Sequence, residues 1–229
     1  MGNILDDLKT MLEFYQALGI EGMHFGPPEP AVEVAVSGDR ELLLSELRQE
    51  IGDCARCKLS GGRKNIVFGE GKPYAKIMFI GEGPGREEDI QGRPFVGEAG
   101  MLLTSLIEKK FEEIKIERSD VYIANIVKCR PPMNRDPEED EIASCRGFIE
   151  RQIEIIQPEV IVTLGRIAIQ TLFDNPKLKI TAVRGRFMEY KGIPVMPTFH
   201  PAYLLRNRAD KWKTWADMQK VLELLSGHS

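Results

Sequence analysis

Short apolar runs, each followed by a stretch of helical periodicity, recur through most of this chain, and that alternation limits its fold more than any other feature. Lys76-Ile77-Met78-Phe79-Ile80, Val121-Tyr122-Ile123-Ala124, Val160-Ile161-Val162-Thr163-Leu164 and Val195-Met196-Pro197-Thr198-Phe199 have the length and β-branched content of strands. Between them, Ala99, Leu102, Leu103, Leu106 and Ile107 share one helical face, and Ile142, Cys145, Ile149, Ile153 and Ile156 share another that stops at Pro158. Asp136-Pro137-Glu138-Glu139 reads as an N-cap, a proline at the first helical position and acids in the first turn. A further helix from about Asp39 sets Leu43, Leu47 and Ile51 on one face and delivers the chain to Cys54; others fall between the last two strands and after Arg206. Apolar strands separated by helices form a parallel sheet covered on both faces. The expected fold class is therefore α/β, a three-layer α/β/α sandwich around a central four-stranded parallel sheet. Ligands of such sheets bind beyond the carboxyl ends of the strands, which directs attention to 81–97, 125–137, 165–167 and 199–208.

The first residues differ in kind. Ile4, Leu8, Met11 and Tyr15 predict a short amphipathic helix ending before Gly19, and Gly26-Pro27-Pro28-Glu29-Pro30 reads as a linker. Residues 1–36 are thus expected to be an appendage and 37–229 the main domain, since 229 residues with 42% hydrophobic content supply one ample core. No apolar run approaches the ~20 residues of a membrane span, and the N-terminus lacks the cationic start and apolar core of a signal peptide. A cytoplasmic location without membrane contact, and a monomer, are the expectations. The net charge of −4 argues against a nucleic-acid partner only on average. Residues 1–53 carry 3 basic and 11 acidic side chains, leaving 28 basic and 24 acidic on 54–229. Arg184, Arg186, Lys191, Arg206, Arg208, Lys211 and Lys213 crowd one segment against Glu189 and Asp210. Such a local excess suits phosphate, and equally suits a solvated basic surface.

Four cysteines complete the raw inventory: the pair Cys54-Ala55-Arg56-Cys57, then Cys129 and Cys145. A disulfide framework does not fit a cytoplasmic protein, which leaves buried inert thiols, a zinc site or an iron–sulfur cluster. A zinc ribbon would pair its ligands twice at close spacing, whereas a [4Fe–4S] cluster tolerates ligands scattered over loops.

Four motifs then converge. Gly81-Glu82-Gly83-Pro84-Gly85-Arg86-Glu87-Glu88-Asp89, Gly92-Arg93-Pro94-Phe95-Val96-Gly97, Asn125-Ile126-Val127-Lys128-Cys129-Arg130-Pro131-Pro132 and His200-Pro201-Ala202-Tyr203-Leu204-Leu205-Arg206 resemble, in order, the motifs of family-four, iron–sulfur uracil-DNA glycosylases. The resemblance spans about residues 40–225 and all four cysteines. It implies a uracil-DNA glycosylase-like sandwich and a hydrolase that cleaves the N-glycosidic bond of deoxyuridine, leaving an abasic site for base-excision repair. It implies a [4Fe–4S] cofactor on Cys54, Cys57, Cys129 and Cys145, and uracil-containing DNA, single- or double-stranded, as partner. Gly81 to Gly85 fits neither phosphate-loop nor dinucleotide fingerprints.

The resemblance also assigns roles. Phe95 stacks on the extruded base, and the Asn125 amide pairs with uracil N3–H and O4, a pattern cytosine inverts. Glu88 walls off C5 against thymine's methyl, and Pro84 completes the substrate-binding set. His200 donates toward O2 of the departing uracil anion, helped by the backbone N–H of Gly83. Family-one relatives carry a water-orienting aspartate at the Gly83 position; here that carboxylate is absent, and the Glu82 side chain, the backbone and the substrate phosphate are the alternatives for that role. Leu204, beside Tyr203, is expected to wedge into the stack, with Arg206, Arg208 and Arg135 on phosphates. Competing readings are a covalent uracil-capturing relative, whose histidine-bearing basic insertion is absent after Cys129, and a non-enzymatic iron–sulfur DNA-binding or redox-sensing module.

Overall fold

The computed structural model describes residues 39–227. The amphipathic helix over residues 4–15 and the proline linker lie outside them. One sheet organises the rest, with strands β1 (Glu70–Gly71), β2 (Ile77–Gly81), β3 (Tyr122–Asn125), β4 (Val160–Leu164), β5 (Met188–Tyr190) and β6 (Ile193–Thr198) in the order β1-β3-β2-β4-β6-β5. The inner four, β3-β2-β4-β6, are parallel, as the apolar runs require. Two antiparallel edge strands add to them. Sequence periodicity missed both: β1 has two residues, and Met188-Glu189-Tyr190 has no apolar run. Tyr190 pairs with Ile193 across Lys191 and Gly192, both at positive φ (50° and 80°), so hairpin geometry rather than hydrophobic pattern creates β5.

Strand alternation builds two separate core layers. Ile77 and Phe79 of β2, Ile123 of β3, Val160 and Val162 of β4 and Met196 of β6 face α3 (Glu98–Lys110) and α8 (Lys211–Ser226). Met78 and Ile80, Tyr122 and Ala124, Ile161 and Val195 face the opposite layer of α1 (Arg40–Ile51), α4 (Glu139–Ile156) and α5 (Arg166–Leu172). The three-layer sandwich follows. Short helices α2 (Arg86–Gln91), α6 (Ile180–Val183) and α7 (Pro201–Arg206) sit in the connections.

Helix ends follow local chemistry. Asp39 caps α1 by accepting the N–H of Glu41 at 2.9 Å, and Leu44, Leu47 and Ile51 form its buried face, with Leu43 half-buried. The start of α4 differs from expectation: the cap is Glu138, not Asp136. Glu138 and Glu141 exchange side-chain and backbone hydrogen bonds in a capping box, while Asp136 ion-pairs with Arg166. Among the described residues no helix is long and apolar enough to cross a membrane.

Candidate active site at the carboxyl edge of the sheet

Register brings the motifs together. Gly81 at the end of β2 lies opposite Asn125 at the end of β3, and Leu164 of β4 opposite Thr198 of β6. Beyond these ends a cavity of about 460 Å³ opens, lined by Glu82 to Glu88, Phe95, Asn125, His200, Tyr203 and Arg206 among others. Val127 and Ile126 donate to the carbonyls of Glu82 and Gly81, so the Gly81–Gly83 turn is zipped to the loop that follows Asn125.

Gly81 is the residue whose role the sequence did not disclose. A β-carbon there would collide with Asn125 Oδ1 and stand 2.5 Å from Phe95 Cζ, so glycine is what lets the amide and the ring share one wall. Phe95 itself is buried at φ +52°, a costly conformation for an aromatic residue. Glu88 fixes the backbone that follows it: its Oε1 accepts the N–H groups of Val96 and Gly97 at 2.9 Å each, immediately ahead of α3. The ring centroid of Phe95 lies 5.6 Å from that of His200, with the planes inclined at 34°.

Asn125 is 1% exposed, and its Oδ1 has no hydrogen-bond partner. An orphaned buried acceptor at a cavity wall is costly unless a ligand donates to it. His200 caps α7; its Nδ1 accepts the N–H of Ala202 at 3.1 Å, which leaves the ring proton on Nε2. Burial and then the nearby Arg206 pull its pKa down to about 4 against the opposing charge of Glu88, so the imidazole is a neutral donor at physiological pH. Burial, reinforced by repulsion from Asp136 and opposed by Arg166, pushes Glu82 up to about 7. A β-carbon at Gly83 would come 2.7 Å from Val127 Cγ2, so an aspartate at that position would require Val127 to move.

Of the expected DNA contacts, Leu204 is buried away from the cavity, and Arg135, which lines it, is engaged by a carboxylate. Leu204 is 3% exposed and lines an apolar groove with Leu103, Leu164 and Phe199, beneath α8's Trp215. It points inward, because α7 turns its apolar face to α3; Tyr203 and Leu205 are the half-buried neighbours. The Tyr203 hydroxyl donates to Asp210 at 2.6 Å. Arg135 makes a two-pronged pair with Glu141 at 2.7 and 2.8 Å, which neutralises a carboxylate of no side-chain exposure at the start of α4. By contrast Arg206 and Arg208 are exposed and have no carboxylate partner among the described residues; Arg86 and Arg130 are likewise free of one.

On the other side of the sheet all four cysteines belong to the layer of α1 and α4, and none is in a disulfide. Arg63 donates to Cys54 O at 2.6 Å and to Cys129 Sγ at 3.7 Å, and the Lys128 N–H donates to Cys145 Sγ at 3.3 Å. Burial drives the Cys129 thiol up to about 11 against the pull of Arg63. Among the described residues no three His, Cys, Asp or Glu side chains are arranged to hold a single metal ion. Lys128, also missed by sequence reasoning, is wholly buried, and burial pulls its ammonium down to about 8 against the attraction of Cys145.

A parallel sheet covered on both faces, with an aromatic ring, an unpaired amide and a neutral histidine gathered in a cavity at its carboxyl edge, defines an α/β protein with a ligand-sized site at that edge. Residues 68–225 match the family model of the uracil DNA glycosylase superfamily. The chain is 51% identical over 173 residues to a type-4 uracil-DNA glycosylase of Thermotoga maritima, covering 75% of this chain and 88% of that one. Type-4 enzymes of Saccharolobus solfataricus and Sulfurisphaera tokodaii are 48% and 47% identical, over 80% and 79% of this chain and 87% and 84% of theirs. The chain belongs to the type-4 uracil-DNA glycosylase family of that superfamily.

Proposed function

We propose that the chain excises uracil from DNA by hydrolysing the N-glycosidic bond, with the extruded base held in the cavity between Phe95, Asn125 and His200. One observation carries the reading: the buried Asn125 amide with its unbonded Oδ1. Uracil offers that oxygen the N3–H donor it lacks and offers O4 to the amide's N–H, whereas cytosine presents the opposite pattern. Phe95 stacks on the ring. Glu88 walls the C5 side, its second oxygen lying so close to Gly85 that a β-carbon there would come within 2.6 Å of it. Pro84 lies in the same lining turn.

Bond cleavage leaves negative charge on O2 and positive character on the sugar. The Nε2–H of His200 and the Gly83 N–H stabilise that anion without reorganisation, since neither has to change protonation state. Glu82, poised near neutrality, orients the attacking water as a carboxylate. Arg206 and Arg208 serve phosphates of uracil-containing DNA, single- or double-stranded.

Cys54, Cys57, Cys129 and Cys145 fit a [4Fe–4S] cluster: four free thiols on one core layer, two of them already receiving N–H donors that favour thiolates. A bound cluster would be held by Cys54 and Cys57 in the turn after α1, Cys129 in the loop after β3 and Cys145 on α4, and would join these elements.

The test is a uracil-containing oligonucleotide incubated with the purified protein and heated in alkali. Strand scission at uracil, with thymine- and cytosine-containing controls intact and Asn125→Ala strongly impaired, is the expected outcome. An unaffected Asn125→Ala variant would overturn the assignment of the amide.

A further inference from the structure

Lys128 is 0% exposed, yet its ammonium has no carboxylate partner among the described residues. Its Nζ donates to the backbone carbonyl of Asn125 at 2.9 Å and to Gln152 Oε1 at 2.6 Å. Gln152, equally buried, donates in turn to Phe68 O at 3.0 Å and to the Tyr122 hydroxyl at 3.1 Å. The network thus spans β3, the loop after it, α4 and the segment before β1. A buried charge is expensive unless it is hydrogen-bonded, and the bonds that offset the cost also hold their acceptors in place. Here the fixed atom is the carbonyl of the residue whose side chain faces the cavity. The same residue's backbone N–H holds Cys145 Sγ, so Lys128 touches the cysteine layer with its main chain and the base-reading strand end with its side chain.

We infer that Lys128 is a positioning residue for uracil recognition: its ammonium locks the main chain at Asn125 so that the orphaned amide is held ready for the base. Asn125 ends β3, and the loop that follows is tied to Gly81 and Glu82 by the Ile126 and Val127 N–H groups. With the ammonium removed, the buried carbonyl of Asn125 loses this donor and the strand end can shift. A displacement of about 1 Å is enough to cost roughly 100-fold in a constellation of this kind. The buried location excludes contact of Lys128 with DNA or base, so any effect on recognition is indirect, and Asn125 is the cavity residue that its ammonium touches. The inference rests on the proposed role of Asn125, and the two are separable by experiment.

Free uracil is titrated as an inhibitor of the iron-loaded protein, in parallel with binding to DNA that already carries an abasic site. Lys128→Met, close in length and apolar, is expected to retain its iron and visible absorbance, to bind abasic DNA like the parent, and to lose free-uracil affinity about 10- to 100-fold. In an Asn125→Ala background the same change is expected to have no further effect, because residues acting through one another are not additive. A merely structural lysine would weaken abasic-DNA binding and iron retention together and would add its loss in both backgrounds. If Lys128→Met fails to fold, Gln152→Leu removes one of the ammonium's two partners and is expected to weaken uracil binding with iron content intact. Unchanged uracil affinity in the folded variant, with Asn125→Ala impaired, overturns this inference while leaving the reading of Asn125; an unimpaired Asn125→Ala overturns both.

Discussion

Burial favours the neutral form of two groups that line the cavity, His200 and Glu82, from opposite sides. His200, pulled down to about 4, stays uncharged throughout the working range, and its titration should leave no limb in the rate profile above about pH 5. Its replacement by alanine should lower the single-turnover rate by ~10²–10³, the cost of one donor to a developing anion, with little change in DNA affinity. Glu82, pushed up to about 7, is the group that should shape the profile. Because water orientation needs the carboxylate, the single-turnover rate should rise with pH through about 7 and then level; Glu82→Gln should be slow and flat. Asp136→Asn removes a repelling charge and should shift the limb to lower pH, and Arg166→Ala should shift it higher. The sign for stability is fixed as well. The folded state binds the Glu82 proton more tightly than the unfolded chain, so stability is fully present below the ordinary carboxylate pKa of 4.5 and is lost as pH rises through 7. Glu82→Gln should therefore melt above the parent at pH 8 and level with it near pH 4. A pH-independent parent rate would remove Glu82 from water orientation.

At the scale of elements, α7 shows what periodicity can and cannot reveal. Leu204 lies four residues after His200 in the sequence, which suggested an exposed wedge, but a six-residue helix capped by His200 turns that position against α3. Leu204→Ala should accordingly cost ~2–5 kcal/mol in thermal stability. Single-turnover rates on U:A duplex, U:G duplex and single strands should fall alike; a selective loss on U:A would restore the wedge. The long elements were legible for a plain reason. The four inner strands carry continuous apolar runs because both faces are covered, and α4 repeats Cys145, Ile149, Ile153 and Ile156 because one face meets the sheet. The edge strands β1 and β5 were not, since turn geometry and pairing create them without apolar burial on both faces. The site was legible as motifs at strand ends. Its support was not: nothing in the spacing of Glu88 and Phe95 reveals a carboxylate fixing the backbone next to an aromatic residue at positive φ, and no one-dimensional signal marks Lys128 as buried.

For the whole molecule the relevant quantity is charge left over after internal pairing. The sequence concentrates cations in 184–213, but the fold uses several of them itself: Arg184 pairs with Asp217, Lys191 with Glu154 and Lys213 with Asp210. Arg135 is likewise committed to Glu141, whereas Arg206 and Arg208 stand exposed without a carboxylate. Phosphate binding releases condensed counterions, so each arginine that meets a phosphate contributes about one unit to the slope of log affinity against log salt. Arg206→Ala and Arg208→Ala should each weaken binding to abasic duplex at low salt and lower that slope by ~1, with melting temperature unchanged. Arg135→Ala should do the reverse. It strands the carboxylate of Glu141 inside the start of α4, and the loss belongs to folding, lowering the melting temperature while leaving the salt slope of the folded fraction intact. Titrating the three variants against abasic DNA from low to moderate salt, with melting curves alongside, separates cations that face the nucleic acid from cations that hold the protein. A salt slope reduced by Arg135→Ala but not by Arg206→Ala would reverse the assignment and move the DNA path from α7 to the loop before α4.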